Sequence, residues 1–291
     1  MEFLKLLESI RFPAGDLFFQ LSTFLGQDIP VLLIICFLFW CLNKRLAYQA
    51  GLSFFAAGLV LQNLKITFRI ERPWVLDPSF QPVASAVDAA TGYSFPSGHT
   101  QTATSLYSTL ALNTDKKSKK LLLVFLFLLV GFSRMYLGVH TPKDVITALV
   151  LACAVSFAVH KWGTKISDTI LSVVLALASL ATVCYTVFLM HEQILPAVHA
   201  EDCCKAAAAG LGFALGWYIE HKFIRFPETT VPRARALRFL IGVAGTLVLK
   251  LGLKFLLGSS IPSEMLQYFV LILWMTCIYP LFFQKFRWLN E

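Results

Sequence analysis

Charge is scarce in this chain, and that scarcity decides more than any other feature of its composition. Only 14% of the 291 residues are charged, while 57% are hydrophobic. A soluble domain carries about 25% charged residues, so a water-facing globular surface is excluded. The sequence also lacks the short alternating segments of a membrane barrel. Its apolar runs are unbroken, and a run of roughly 20 such residues crosses a bilayer as a helix. No basic tract interleaved with aromatics occurs. The excess of 25 Lys and Arg over 17 Asp and Glu therefore points to loops obeying the positive-inside bias, and no nucleic-acid partner is expected. The N-terminus has Glu2 and Glu8 where a signal peptide would carry basic residues, so none is expected there. Cysteine is present but forms no ligand pattern. Cys36, Cys41, Cys153, Cys184 and Cys277 lie inside apolar runs as small hydrophobes, and the adjacent Cys203 and Cys204 have no second CxxC or histidine at ligand spacing. No internal repeat or low-complexity tract is apparent.

What is present is a series of apolar segments punctuated by charge. Residues 3 to 12 place Phe3, Leu4, Leu6, Leu7 and Ile10 on one helical face, the pattern of a helix lying on the membrane surface. Spans are expected at about 28–42, 48–68, 98–112, 121–136, 142–159, 168–190, 205–220, 236–257 and 264–283, nine if the short first one crosses. The fold class is thus all-α, a polytopic transmembrane helical bundle of eight or nine spans. Alternate connections carry Lys44 and Arg45, then Lys116 to Lys120, then Lys161 and Lys165, then Lys222 to Arg238, then Lys285 and Arg287. By the positive-inside bias these five are cytoplasmic. The loop from Trp74 to Phe95 is long and Pro-containing, and a long loop in a compact domain is usually functional; it is expected to cover a site.

Three polar motifs then stand out, all at the opposite ends of the spans. Lys65, Arg69 and Arg72 are spaced i, i+4, i+7. On one helix they would form a cation row that attracts an anion, though snorkelling anchors end many spans in the same way. In PSGH, Pro96 to His99, Ser97 is a candidate N-cap whose N–H, with those of Gly98 and His99, points out of a helix start and could hold phosphate. His99 could then donate a proton to a leaving oxygen. In SRMYLGVHTPKD, Ser133 to Asp144, Thr141, Pro142 and Asp144 have the spacing of a capped helix start. Asp144 either orients His140 through one ring nitrogen, leaving the other as nucleophile, or only caps. Arg134 suits bidentate contact with phosphoryl oxygens. Each motif is weak alone. Two histidines, a carboxylate and several cations at one membrane face are costly to bury without a function.

These residues resemble the type 2 phosphatidic acid phosphatase superfamily, whose signature K-x6-RP, PSGH and SR-x5-H-x3-D is complete here: Lys65 with Arg72 and Pro73, Pro96 to His99, and Ser133, Arg134, His140 and Asp144. The resemblance spans roughly residues 45 to 160. It implies a six-helix phosphatase core followed by additional C-terminal helices, divided as an interfacial region 1–27, a core 28–190 and an extension 191–291. It further implies that His140 attacks phosphorus, Asp144 orients it and His99 protonates the leaving oxygen. Lys65, Arg72, Arg134 and the Ser97 and Gly98 backbone then hold the phosphate, with no metal or other cofactor. The substrate would be a lipid phosphate or polyprenyl diphosphate, met among membrane lipids. Location would be an integral, multi-pass one in a bacterial cell (inner) membrane, the site facing outside or periplasm. Alternatives are a lipid phosphotransferase, a soluble sugar-phosphate phosphatase and a non-enzymatic anion transporter. Neither head group nor oligomeric state follows from the sequence.

Overall fold

The computed structural model describes residues 1–286 and Leu289. Among these residues there is no strand, and helices carry the whole architecture. They are α1 (Glu2–Ser9), α2 (Pro13–Phe24), α3 (Asp28–Phe37), α4 (Lys44–Phe68), α5 (Pro73–Leu76), α6 (Gly98–Leu112), α7 (Lys117–Tyr136), α8 (Pro142–Trp162), α9 (Asp168–His191), α10 (Ala197–Ile219), α11 (Pro232–Leu257), α12 (Ile261–Leu273) and α13 (Tyr279–Lys285). Three one-turn π-type segments, Leu38–Leu42, Glu220–Ile224 and Trp274–Ile278, prolong α3, α10 and α12. Arg287, expected beside Lys285 at the basic face, lies outside the described residues.

Helices occupy every expected span, yet they are not equally fit to face lipid. By length and composition five cross a membrane, α4, α8, α9, α11 and α12 with its continuation, and a sixth crosses if α2 and α3, bent by 44°, form one span. The protein is integral and multi-pass. Of the expected spans, α6, α7 and α10 fall outside that set, and in α6 the physical reason is plain. That helix is only 15 residues long and buries Thr100, Gln101, Thr102, Thr104, Ser105, Ser108 and Thr109, side chains that hydrocarbon would reject. It tolerates them because it is enclosed by α3, α4, α7 and α8. Some of these groups find partners there: Thr109 donates to the Ser105 carbonyl at 2.7 Å, and the Gln101 side-chain amide donates to the Phe54 carbonyl at 3.2 Å. Small and hydroxyl-bearing residues are what helix interfaces within membranes favour.

The second buried helix is α10. It packs against α4, α9 and α12 through a run of alanine and glycine, with Ala207, Ala208, Ala209, Gly210, Gly212 and Gly216 all buried. A Cβ at Gly216 would lie 1.8 Å from the Thr276 hydroxyl, so glycine alone permits this approach. Since α4 touches both α6 and α10, it is the shared wall between the signature region and the C-terminal helices.

The N-terminal helix differs from a helix floating on the membrane. Leu4 and Leu7 are buried with Phe80, against Trp74 and Met135, so two of its five apolar residues are spent on the protein. Phe3, Leu6 and Ile10 remain exposed. Lys5 pairs with Asp77 at 2.8 Å, the Glu8 carboxylate accepts from the Gln81 amide at 3.0 Å, and Arg11 donates to the Tyr136 carbonyl at 2.9 Å and to the Gln81 carbonyl. The long loop is thereby strapped to α1 and α7.

Candidate active site

The three motifs meet at one end of the bundle. The far ends of α4 and α7 and the starts of α6 and α8 surround a cavity of about 360 Å³ lined by Lys65, Arg72, Gly98, His99, Arg134 and His140. Loop residues Ala89 and Thr91 also line it, so the long loop forms part of its wall, as a cover should. The cavity then runs past apolar side chains, Leu32, Phe54, Phe55, Leu61 and Ile272.

The chain approaches this cavity differently from the expected cation row. The helix α4 stops at Phe68 because Arg69 takes a left-handed conformation, φ 49°, and Arg72 is extended, as the residue before a proline must tend to be. Lys65 and Arg72 still converge, but Arg69 turns outward and donates to the Ile66 carbonyl of its own helix at 3.0 Å. The helical i, i+4, i+7 geometry is thus broken after its first member.

Arg72 is held on three sides. It donates to the carbonyls of Gly92 at 3.1 Å, Val139 at 3.0 Å and Thr91 at 2.5 Å, and its Nη1 also meets His140 Nε2 at 3.0 Å. A guanidinium has no lone pair to offer, so at that contact Nε2 accepts, which assigns the ring proton to Nδ1. The Nδ1 atom faces Asp144 Oδ2 at 3.5 Å, beyond good hydrogen-bond length. That carboxylate oxygen also accepts from the Ser94 hydroxyl at 2.6 Å and the Thr141 amide at 2.8 Å. Asp144 therefore caps α8, completing a capping box with Thr141, and faces His140 with the same atom. The capping and orienting geometries coexist. His140 lies between α7 and α8, outside both helices. Burial first, then the charges of Arg72, Arg134 and Lys65, push its imidazole well below the ordinary histidine pKa.

Other donors are left open. Arg134 is buried and gives Nη1 to the Thr23 hydroxyl at 2.9 Å, while its Nε and Nη2 have no partner among the described residues; neither does His99 Nε2. Lys65 donates to the Tyr93 carbonyl at 2.7 Å. Leaving a buried donor unsatisfied costs about 1–3 kcal/mol, more when charged, and several such donors around one cavity describe a place prepared for an anion.

The helix start at α6 needs one correction. Ser97 occupies the cap position but makes no side-chain cap, since its hydroxyl accepts from Thr100 at 2.9 Å. Its amide is not free either, because it donates to the Asp144 carbonyl at 3.1 Å. Ser97 thus ties α6 to α8 and does not line the cavity. Gly98 does, and a Cβ there would meet nothing within 4 Å, so a ligand can approach its backbone closely.

Several residues at the site had no signature to betray them. Ser94, Thr23 and the carbonyls of Thr91, Gly92, Tyr93 and Val139 act by position alone. Gly26 brings the bend between α2 and α3 up to the His99 carbonyl, 2.6 Å from where its Cβ would stand. The clearest missed signal is α10, which adds Asp202 and Lys205 to the cavity wall, with Tyr268 from α12.

A membrane bundle with one cavity lined by buried cations and two histidines defines the class. Two family models match this chain, PAP2 superfamily over residues 46–168 and PAP2 superfamily phosphatase, transmembrane extension, over residues 204–291. The chain belongs to the PAP2 superfamily. It is 25% identical over 227 residues to sphingosine-1-phosphate phosphatase 2 of Mus musculus, covering 74% of this chain and 62% of that protein. It is 31% identical to undecaprenyl-diphosphatase BcrC of Bacillus subtilis, covering 42% of this chain and 60% of that protein. Among solved structures, a transmembrane PAP2 type phosphatidylglycerolphosphate phosphatase from Bacillus subtilis is 27% identical, with a TM-score of 0.48 over 57% of this chain and 85% of that one. The chain thus spans about three fifths of the length of the curated relatives it matches.

Proposed function

We propose that the protein is a membrane phosphatase that hydrolyses a lipid phosphate or polyprenyl diphosphate through a phosphohistidine intermediate. The observation that carries this reading is the set of unfilled donors on Arg134 and His99, beside Lys65, Arg72 and His140, around one cavity. Phosphoryl transfer asks chiefly for alignment and charge stabilisation. Arg72 moves its Nη1 hydrogen bond from His140 to a phosphoryl oxygen, freeing the Nε2 lone pair to attack phosphorus. The bond to the leaving oxygen breaks as His99, which takes up a proton once the negative phosphate lies beside it, delivers that proton to the oxygen. Asp144 stabilises the proton on His140 Nδ1 as the ring gains positive charge. Water, deprotonated by the now neutral His99, then attacks the phosphohistidine, releasing phosphate and restoring His140. Lys65, Arg72, Arg134 and the Gly98 amide hold the equatorial oxygens throughout.

The apolar lining favours a lipid over a soluble sugar phosphate, because Phe54, Phe55 and Leu61 of α4 line the same cavity as the cations. The region 28–190 forms the phosphatase core, 1–27 straps its loop, and 191–291 is an extension. Basic residues gather at the other end of the bundle, around Lys44, Arg45, His221 and Arg225, which supports a site opening outside or to the periplasm. The test is phosphate release by the purified full chain in detergent from sphingoid-base phosphate, phosphatidic acid, phosphatidylglycerol phosphate and polyprenyl diphosphate. Wild type releases phosphate from at least one and His140→Ala from none, with a base-stable, acid-labile phosphoprotein in a rapid quench. Turnover in His140→Ala comparable to wild type discards the nucleophile.

A further inference from the structure

The C-terminal extension lines the cavity with α10 and with Tyr268 and Ile272 of α12, and what the first two turns of α10 touch beside it is informative. Segment 91–94 of the long loop has no regular structure, yet each of its residues holds a group of the site. The carbonyls of Thr91 and Gly92 accept from Arg72, at 2.5 and 3.1 Å, and the carbonyl of Tyr93 accepts from Lys65 at 2.7 Å. The Ser94 hydroxyl donates to Asp144 at 2.6 Å. An irregular backbone does not stay aligned unaided, since fixing each residue costs about 1–2 kcal/mol of conformational entropy. Something must pin it.

Two contacts from α10 do so. Asp202 Oδ2 accepts from the Thr91 hydroxyl at 2.6 Å, on the residue whose carbonyl holds Arg72. The His199 ring lies against the Tyr93 ring, centroids 4.3 Å apart and tilted by 33°, on the residue whose carbonyl holds Lys65. Asp202 is itself fixed, because Lys205 lies 2.6 Å from Glu201, 3.5 Å from Asp202 and 3.2 Å from Glu264 of α12. Glu264 thereby ties this turn to the next helix of the extension. The Asp202 carboxylate also lies within Coulombic reach of Lys65 and Arg72.

We propose that Asp202 and His199 are positioning residues that let the extension set the phosphate cradle, acting on Arg72 and Lys65 through Thr91 and Tyr93. This rests on the reading of the cavity as a phosphate site. The extension is then a second layer of that site, and not only added membrane anchorage. Displacing a binding group by about 1 Å is enough to lose up to about 100-fold in rate, so loss of either contact is felt through the placement of Arg72 and Lys65.

The test uses the full-length protein in detergent and two readouts, the steady-state KM for a lipid phosphate and the thermal shift induced by orthophosphate alone. Asp202→Ala and Thr91→Val, which keeps the carbonyl, each weaken orthophosphate binding and raise KM about 10-fold, and the double variant is no worse than either, since both break one relay. Asp202→Asn keeps an acceptor for Thr91 and recovers most of the loss. His199→Phe preserves the ring contact and stays near wild type, whereas His199→Ala loses about 3-fold or more. Should Asp202→Ala fail to fold, Thr91→Val and Asp202→Asn carry the comparison. Orthophosphate affinities within 2-fold of wild type in folded Thr91→Val and His199→Ala overturn the proposal, as do additive losses in the double variant. Failure of the phosphatase reading looks different: wild type itself then releases no phosphate, while the orthophosphate shifts still report on the relay.

Discussion

The two ends of the bundle both bury cations, and they treat them in opposite ways. At the basic end Lys44 lies 2.7 Å from the buried Glu220 carboxylate and donates to the Phe226 carbonyl at 2.8 Å, and Tyr48 donates to the same carboxylate. Arg238 there is wholly enclosed, giving Nε to the Leu289 carbonyl at 2.8 Å and Nη1 to those of Trp40 and Pro227 at 3.0 Å each, with Phe283 against its guanidinium at 4.4 Å. At the other end Lys65, Arg72 and Arg134 form no ion pair among the described residues, and Arg134 keeps unfilled donors. Burial makes an unpaired charge expensive, so proteins saturate it where it only holds the fold. Where the charge is left unsaturated, a ligand is the expected partner.

That contrast can be broken by exchanging the consequences of mutation. The largest effect is expected for Arg134→Met, which removes donors aimed at the developing charge and lowers kcat/KM by about 10²–10³-fold, as loss of a single transition-state donor does elsewhere. Its melting temperature stays level or rises, because a buried unpaired charge is gone. Arg238→Met reverses the pattern. Orphaning its carbonyls costs about 3 kcal/mol of stability, read by thermal unfolding, while the folded fraction keeps its kcat. Glu220→Gln belongs with Arg238, since it leaves the partly exposed Lys44 without its counter-charge and destabilises the fold with little effect on KM.

A subtler prediction concerns pH. The depressed pKa of His140 keeps its ring neutral at neutral pH, the form that the proposed nucleophile requires. Its protonation limits kcat/KM only as the pH falls through that depressed value. By linkage, the stability it confers is present above the ordinary histidine pKa and is lost as the pH falls. Arg72→Gln removes a neighbouring cation, so besides lowering the rate it moves the acid limb from His140 to higher pH. An acid limb unmoved in that variant would show that Arg72 does not act on His140. The smallest effect is expected at Arg69. With its guanidinium on the Ile66 carbonyl, Arg69→Ala changes kcat/KM by less than about 2-fold, a figure typical of surface substitutions away from special features.

Much of this contrast was legible in the chain and part of it was not. Lys65, Arg72, His99, Arg134 and His140 announce themselves because ionisable residues at the ends of apolar runs demand a reason. Thr141 and Asp144 announce the start of α8 through capping-box spacing. Arg69 misled, because helical spacing assumes that the helix continues, and a left-handed turn at Arg69 itself ended it. Ser97 misled because a cap residue's amide is free only if no other element reaches it, and α8 does. The burial of α6 was invisible: 98–112 reads as a span, and that its threonines and serines are enclosed by α3, α4, α7 and α8 shows only once its neighbours are known.

The sequence by itself determined that this is a helical membrane protein with a phosphate-type signature, because hydrophobic run length and the cost of intramembrane charge are properties of single segments. Tertiary structure alone decided which cations are saturated, which atom of Asp144 serves both His140 and the helix cap, and how α10 reaches Arg72 and Lys65 through Thr91 and Tyr93. Those features are made by carbonyls, ring faces and distances between segments far apart in the chain, and a carbonyl carries no residue identity from which its partner could be read.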